Sequence, residues 1–268
     1  MYSGTTFRRS SGNAMGAHQK IDRVARRCVT RLKARHEFFP PIRDILHFEG
    51  NNGPDGIKRK SPGQDEPWHF VDPTDPSDRQ IYQLARDHYD NLVVALRNRD
   101  DTRAAFEAAW LAHTIVDALT PAHHYPLADK IEQLWGKPHD ERLTIREKNL
   151  IIGENRRDTL SKNWEYWGAK GVFSTHLLFE IGVATAIKPL RFTDALSELS
   201  ELEMIERQGL EQYVAEAIMR VYRLDMYQSF WRHGWTARLA RQTKRDLAPT
   251  IIRTVTVVWL AAIREAKV

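Results

Sequence analysis

Apolar residues recur along most of this chain at intervals of three and four, the period of a helix with one buried stripe, and strand-like alternation is nearly absent. Ile21, Val24, Ala25, Cys28 and Leu32 keep that spacing and predict a first helix over about 17–36. Residues 39–67 are dense in Pro, Gly, Asn and Asp, which predicts a short helix followed by a long loop. Asp75 as N-cap, Pro76 at the first helical position and Asp78 in the first turn open the next helix. Ile81, Leu84, Ala85, His88 and Leu92 carry it to about residue 98. Another helix starts after Arg97–Asp101 and ends at Pro121. Residues 173–187 are helical again, a long helix covers 195–231 with Val214, Ala217, Ile218 and Val221 on one face, and a last one holds Ile251, Val255, Val258 and Ala262. The fold class expected is all-α: one multi-helix domain over 16–268. It is preceded by a polar N-terminal arm over 1–15 that reads as mobile, and carries a polar insertion at about 126–171.

Composition fits that picture. The 268 residues are 42% apolar, enough to bury a substantial core, and 14 Gly with 12 Pro are too few for a disordered or fibrous chain. The formal charge of +5 and pI of about 9.3 suit anionic partners, but the excess base is spread along the chain. A single cysteine, Cys28, excludes an intramolecular disulfide and a thiolate metal cluster. The N-terminal stretch lacks the apolar region of a secretory signal. The apolar run 254–263 falls short of the roughly 20 residues a membrane span needs, so it reads as a buried helix. These features predict a soluble protein with no transmembrane segment, cytoplasmic by default.

The chemistry concentrates in Ala109–His124, where His113, Asp117 and His123 interrupt an otherwise apolar run. Burying ionisable groups without partners costs several kcal/mol, so a compensating partner is implied. Four residues apart on a helix, His113 and Asp117 share a face, and His176 and Glu180 repeat that geometry. Each pair is an imidazole–carboxylate clamp of the kind zinc accepts. Pro121 ends the helix and lets His123 turn back, Asp55 and His69 supply a further pair from the long loop, and His18 opens the first helix. Taken singly, each of these residues also fits a satisfied core histidine or a turn aspartate.

The motifs "HFVDP" (69–73), "HTIVDALTPAH" (113–123) and "HLLFE" (176–180) resemble those of the zinc-dependent phospholipases C and the single-strand-specific zinc nucleases, which share one fold. The resemblance runs from about His18 to Glu180. It implies an all-α domain of the zinc-dependent phospholipase C type and a site of two or three zinc ions. Asp55, His69, His113 and Asp117 would hold one ion, and His123, His176 and Glu180 a second. His18 would hold a third, with Asp117 reaching it through its other oxygen. His139 is the rival to His176, but Leu143 stands four residues after it instead of a carboxylate. The family's third metal also takes the amino group and carbonyl of an N-terminal tryptophan. No tryptophan precedes Trp68 here, and Gly16 would offer a free amine near His18 if the chain started at Met15.

The activity implied is phosphodiester hydrolysis. Adjacent zinc ions would lower the pKa of a shared water toward neutrality and supply a metal-bound hydroxide, with Asp55 orienting or deprotonating that water. Nitrogen and oxygen ligands would also accept manganese or iron in part. Phe70 beside His69, and Glu180 in the last pair, lean toward phospholipid as substrate. Trp68 and Phe70 would offer aromatic faces to a choline headgroup or, as the alternative, to the bases of single-stranded nucleic acid. A non-catalytic zinc-binding scaffold is a third reading.

Overall fold

The computed structural model describes residues 1, 16–34, 37–60, 69–124, 127–137, 141, 150–192 and 199–267. The protein is an all-α single domain, and no strand occurs among the described residues. In chain order the first helices are α1 (Ala17–Leu32), α2 (Ile42–His47), α3 (Pro54–Lys60), α4 (Gln80–Arg97) and α5 (Asp101–Ala118), with 3-10 turns at Gly50–Asn52 and Pro121–His124. Then come α6 (Leu127–Trp135), α7 (Arg156–Trp167), α8 (Val172–Ile187), α9 (Leu199–Gln208), α10 (Leu210–Tyr222), α11 (Met226–His233), α12 (Ala237–Gln242) and α13 (Ala248–Glu265).

The core is built around α13, which packs on α1, α4, α5, α9 and α10. Ile251, Ile252, Val255, Val257, Val258, Trp259 and Ala262 bury it on nearly every side, as a helix apolar all round requires. The run 237–265 is long and apolar enough to cross a membrane by length and composition, and most of that surface lies inside the protein. Trp259 is fully buried, and its indole N–H donates to the Ala108 carbonyl at 3.1 Å. A π-turn at Thr243–Leu247 joins α12 to α13 just before Pro249. Without an N–H, that proline cannot continue the regular ladder. Helices α4 and α5 form a hairpin; Asp100 caps α5 by accepting from the Arg103 N–H at 2.9 Å.

Several boundaries differ from the sequence reading, and the first helix, expected to run to about residue 36, ends at Leu32. The helix expected to open at Asp75–Pro76 begins at Gln80. Asp75 instead accepts from the Ser77 N–H and hydroxyl at 2.8 and 2.7 Å, and Asp78 from the Asp72 N–H at 2.9 Å. These local side-chain bonds close turns in competition with a helix. The loop expected over 39–67 contains the 3-10 turn and α3. Gly56 makes that possible, because a Cβ there would overlap the Asn51 carbonyl oxygen. The long helix expected over 195–231 is three helices, broken at Gly209 (φ +85°) and Asp225 (φ +49°). Glycine is at home in the first conformation, and Asp tolerates the second.

Within the insertion, α6 and α7 pack on each other and on α8 through a small cluster of Leu134, Ile151, Tyr166 and Val172. Phe70 and Phe173 close this cluster on the side of the main domain.

Candidate metal centre

Helix α5 is the floor of the site. It is buried along nearly its whole length from Ala104, so His113 and Asp117 project into the interior and not into solvent. After Ala118 the Pro121–His124 turn folds back, with the His123 N–H donating to the Thr120 carbonyl at 2.8 Å. His123 therefore sits beside Asp117. The Val71 N–H donates to the His123 carbonyl at 3.1 Å, which stitches the His69–Phe70 segment to the same place. Helix α1 brings His18, α8 brings His176 and Glu180, and the first turn of α3 brings Asp55.

Asp117 is the hub. Its Oδ1 lies 3.4 Å from His18 Nε2 and 3.5 Å from His123 Nδ1, and its Oδ2 lies 2.5 Å from His69 Nδ1 and 3.2 Å from His113 Nε2. Glu180 gathers the other group: its Oε1 is 2.9 Å from His123 Nε2 and 3.0 Å from His176 Nε2. The His123 and His176 rings stack with centroids 5.1 Å apart, and those of His18 and His113 at 4.1 Å. Three sets of donor atoms fall within 4.8 Å of one another: His18, His113 and Asp117; Asp55, His69 and His113; and His123, His176 and Glu180.

The structure thus brings together every histidine and carboxylate expected from the sequence at this site. Trp68 and His139 lie outside the described residues. Phe70 is half-buried, with its ring 5.4 Å from that of His123 and 6.2 Å from that of His176. His124, next to His123, points away from the centre, and its Nε2 donates to the Ala118 carbonyl at 2.7 Å.

Sequence reasoning missed two participants. The first is Met1, whose amino group lies 2.5 Å from Asp117 Oδ1 and 3.3 Å from Glu180 Oε1, while its carbonyl is 2.6 Å from His18 Nε2. Gly16, the other position near His18, is the N-cap of α1. The first residue of the arm is buried in the centre, and positions 2–15 lie outside the described residues. The second is Glu49, fully buried between α2 and α3, whose Oε1 accepts from His113 Nδ1 at 3.0 Å. No spacing rule points to either one, since both reach the site through tertiary structure alone.

The electrostatics are those of compensated burial. Burial works to raise the Asp117 carboxyl, yet the Met1 ammonium, His123 and His113 hold it well below the usual carboxylate range. Glu180 is likewise held down, against its burial, by the same ammonium and by His176 and His123. Burial and the Met1 ammonium push His123 down to about 3, so its imidazole is neutral, as a metal ligand must be. Burial disfavours the charged form of His113 too, but Glu49 and Asp117 overcome it and raise this group well above its ordinary value.

These His, Asp and Glu groups could hold a metal ion. Two ligand atoms about 2.0–2.1 Å from a tetrahedral ion stand roughly 3.3 Å apart. Five of the contacts around Asp117 and Glu180, at 2.9–3.5 Å, come near that edge length, while His69 Nδ1 and Asp117 Oδ2, at 2.5 Å, are in direct hydrogen-bond contact. His123 Nδ1 is buried without a hydrogen-bond partner, and its imidazole is neutral, so it has a lone pair to offer a cation. No family model matches the chain, and no curated protein or solved structure matches it either.

Proposed function

We propose that this centre binds two or three zinc ions and hydrolyses phosphodiesters, with phospholipid as the first substrate class. The reading rests on the resemblance of the three motifs to zinc-dependent phospholipases C and single-strand-specific zinc nucleases. The observation that carries it is the convergence of three donor sets on one hub, Asp117. A carboxylate with both oxygens directed at imidazoles from different elements is placed to bridge two cations.

In this reading Asp55, His69, His113 and Asp117 hold one ion, and His123, His176 and Glu180 a second. His18 and Asp117 hold a third with the amino group and carbonyl of Met1. Bound there, zinc supplies an acidified water and positive charge against the phosphate. The chain does the rest. Half-buried Asp55, close to the His69 and His113 donors, orients the water and accepts its proton. Glu49 fixes the tautomer of His113. Phe70 walls the centre with an aromatic face against which a choline group or a base packs.

The test is turnover of phosphatidylcholine and of single-stranded DNA by zinc-loaded protein, with Asp55→Asn as control. Hydrolysis of the lipid that falls at least a hundredfold in the variant is expected. Cleavage of DNA alone would move the activity to the nuclease class. Tight zinc with no turnover of either would leave a scaffold and overturn the enzymatic reading.

A further inference from the structure

Helix α7 exposes a face that a water-soluble surface does not need. At 100° per residue, positions 156, 157, 160, 164 and 167 fall within an arc of roughly 100°. They are Arg156, Arg157, Leu160, Trp164 and Trp167, and the apolar three are 72%, 73% and 42% exposed. The acids of α7, Asp158 and Glu165, lie outside that arc, and Lys162 pairs with Asp158 at 3.2 Å. Buried Tyr166 anchors the opposite side of the helix in the insertion's cluster. A shallow groove beside Trp164 is lined by Lys130, Lys170 and Trp231, with Glu165 as its one acid.

This face is linked to the candidate metal centre through the insertion's buried cluster. Trp167 packs on Phe173 at 4.8 Å, Phe173 and Phe70 close the same small cluster, and the Phe70 ring lies 5.4 Å from that of His123. Aromatic side chains thus run from the exposed helix to the ligands.

We propose that the Leu160–Trp164–Trp167 face of α7 docks the protein on an anionic lipid surface, presenting the metal centre to lipid headgroups. Trp suits the membrane interface, where one end of the side chain is apolar and the other wet. Arg156, Arg157, Lys130 and Lys170 complement anionic headgroups, and no acid shares the α7 arc with them. An exposed apolar patch rimmed by cations is the pattern of such a surface. The docking deepens the phospholipid reading and rests on it for its purpose, but it is measured without turnover.

The experiment is co-sedimentation of the full chain with vesicles of phosphatidylcholine, and of phosphatidylcholine mixed with phosphatidylserine, following Trp emission. Wild type is expected to bind the mixed vesicles with a blue shift. Leu160→Ser/Trp164→Ser is expected to weaken binding by about tenfold or more, and Arg156→Glu/Arg157→Glu to remove the preference for phosphatidylserine, about fivefold per arginine. All four positions are exposed, so unchanged helical circular dichroism is expected of both variants. Turnover of a monomeric short-chain phospholipid should be the same in the face variants as in wild type. Absence of turnover in every protein would sink the phospholipid reading while leaving the docking to be judged by vesicle binding. The docking is overturned if wild type does not bind vesicles or if the variants bind as it does. It is equally overturned if the face proves to hold a second copy, seen as a dimer lost in Leu160→Ser/Trp164→Ser, or a single-stranded nucleic acid in preference to vesicles.

Discussion

Glu49 Oε1 lies 3.0 Å from His113 Nδ1, and that contact decides which nitrogen His113 offers to the centre. With Nδ1 donating to a fully buried carboxylate, Nε2 faces Asp117 Oδ2 at 3.2 Å. A carboxylate behind a histidine ligand fixes its tautomer and orientation and raises its basicity.

Glu49→Gln keeps the shape and removes the charge. We expect zinc affinity to fall by about 10–100-fold with the number of ions bound at saturation unchanged. A competition titration against a chromogenic chelator reads this directly; unaltered affinity would reduce Glu49 to a packing residue.

In the presence of chelator, the protein should lose stability as pH falls from neutrality. Burial holds His124 at about 4, and burial with the Met1 ammonium holds His123 at about 3, against an ordinary value of 6.5. Below pH 6.5 the unfolded chain takes up protons that the folded one refuses, so stability rises with pH across that window. The His124 shift alone corresponds to a loss on the order of 3 kcal/mol by pH 4. Asp117 and Glu180, both depressed, contribute stability above their unfolded values near 4 that is lost in stronger acid. His113 works the other way, because its folded value is raised; its contribution is complete below pH 6.5 and declines above. Urea unfolding at a series of pH values should therefore show a maximum near neutrality. A stability that held level from pH 7 to pH 4 would mean these imidazoles are not buried as neutral groups.

Gly209→Ala isolates a backbone effect. A Cβ at this position meets nothing within 4 Å, yet φ is +85°. The expected cost is about 1–2 kcal/mol, all of it conformational, read as a lowered midpoint in urea with no change in slope.

That glycine also marks where the sequence ceased to be legible. The apolar stripe of Val214, Ala217, Ile218 and Val221 identifies α10, but periodicity continues across Gly209 and Asp225 because all three short helices bury a face in the same core. The longer helices were readable, whereas the short α3 and α12 were not, and boundaries failed where side chains cap turns of their own, as at Asp72, Asp75 and Asp78. At the site, the i,i+4 pairs His113–Asp117 and His176–Glu180 were readable because a helix fixes their geometry. Glu49 and Met1 were not, since the bonds that place them span 64 and 116 residues of chain.

The central claim is that these donors exist to hold metal. Elemental analysis of protein purified without chelator, for wild type and Asp117→Asn, tests it most directly. Two or three zinc ions per wild-type chain, falling by at least one in the variant, is the expected result, because both Asp117 oxygens face imidazole donors. A wild-type chain that carries no metal and takes up none from a zinc solution would contradict it. Asp117 would then be a buried counter-ion for the Met1 ammonium, and the histidines around it part of the core.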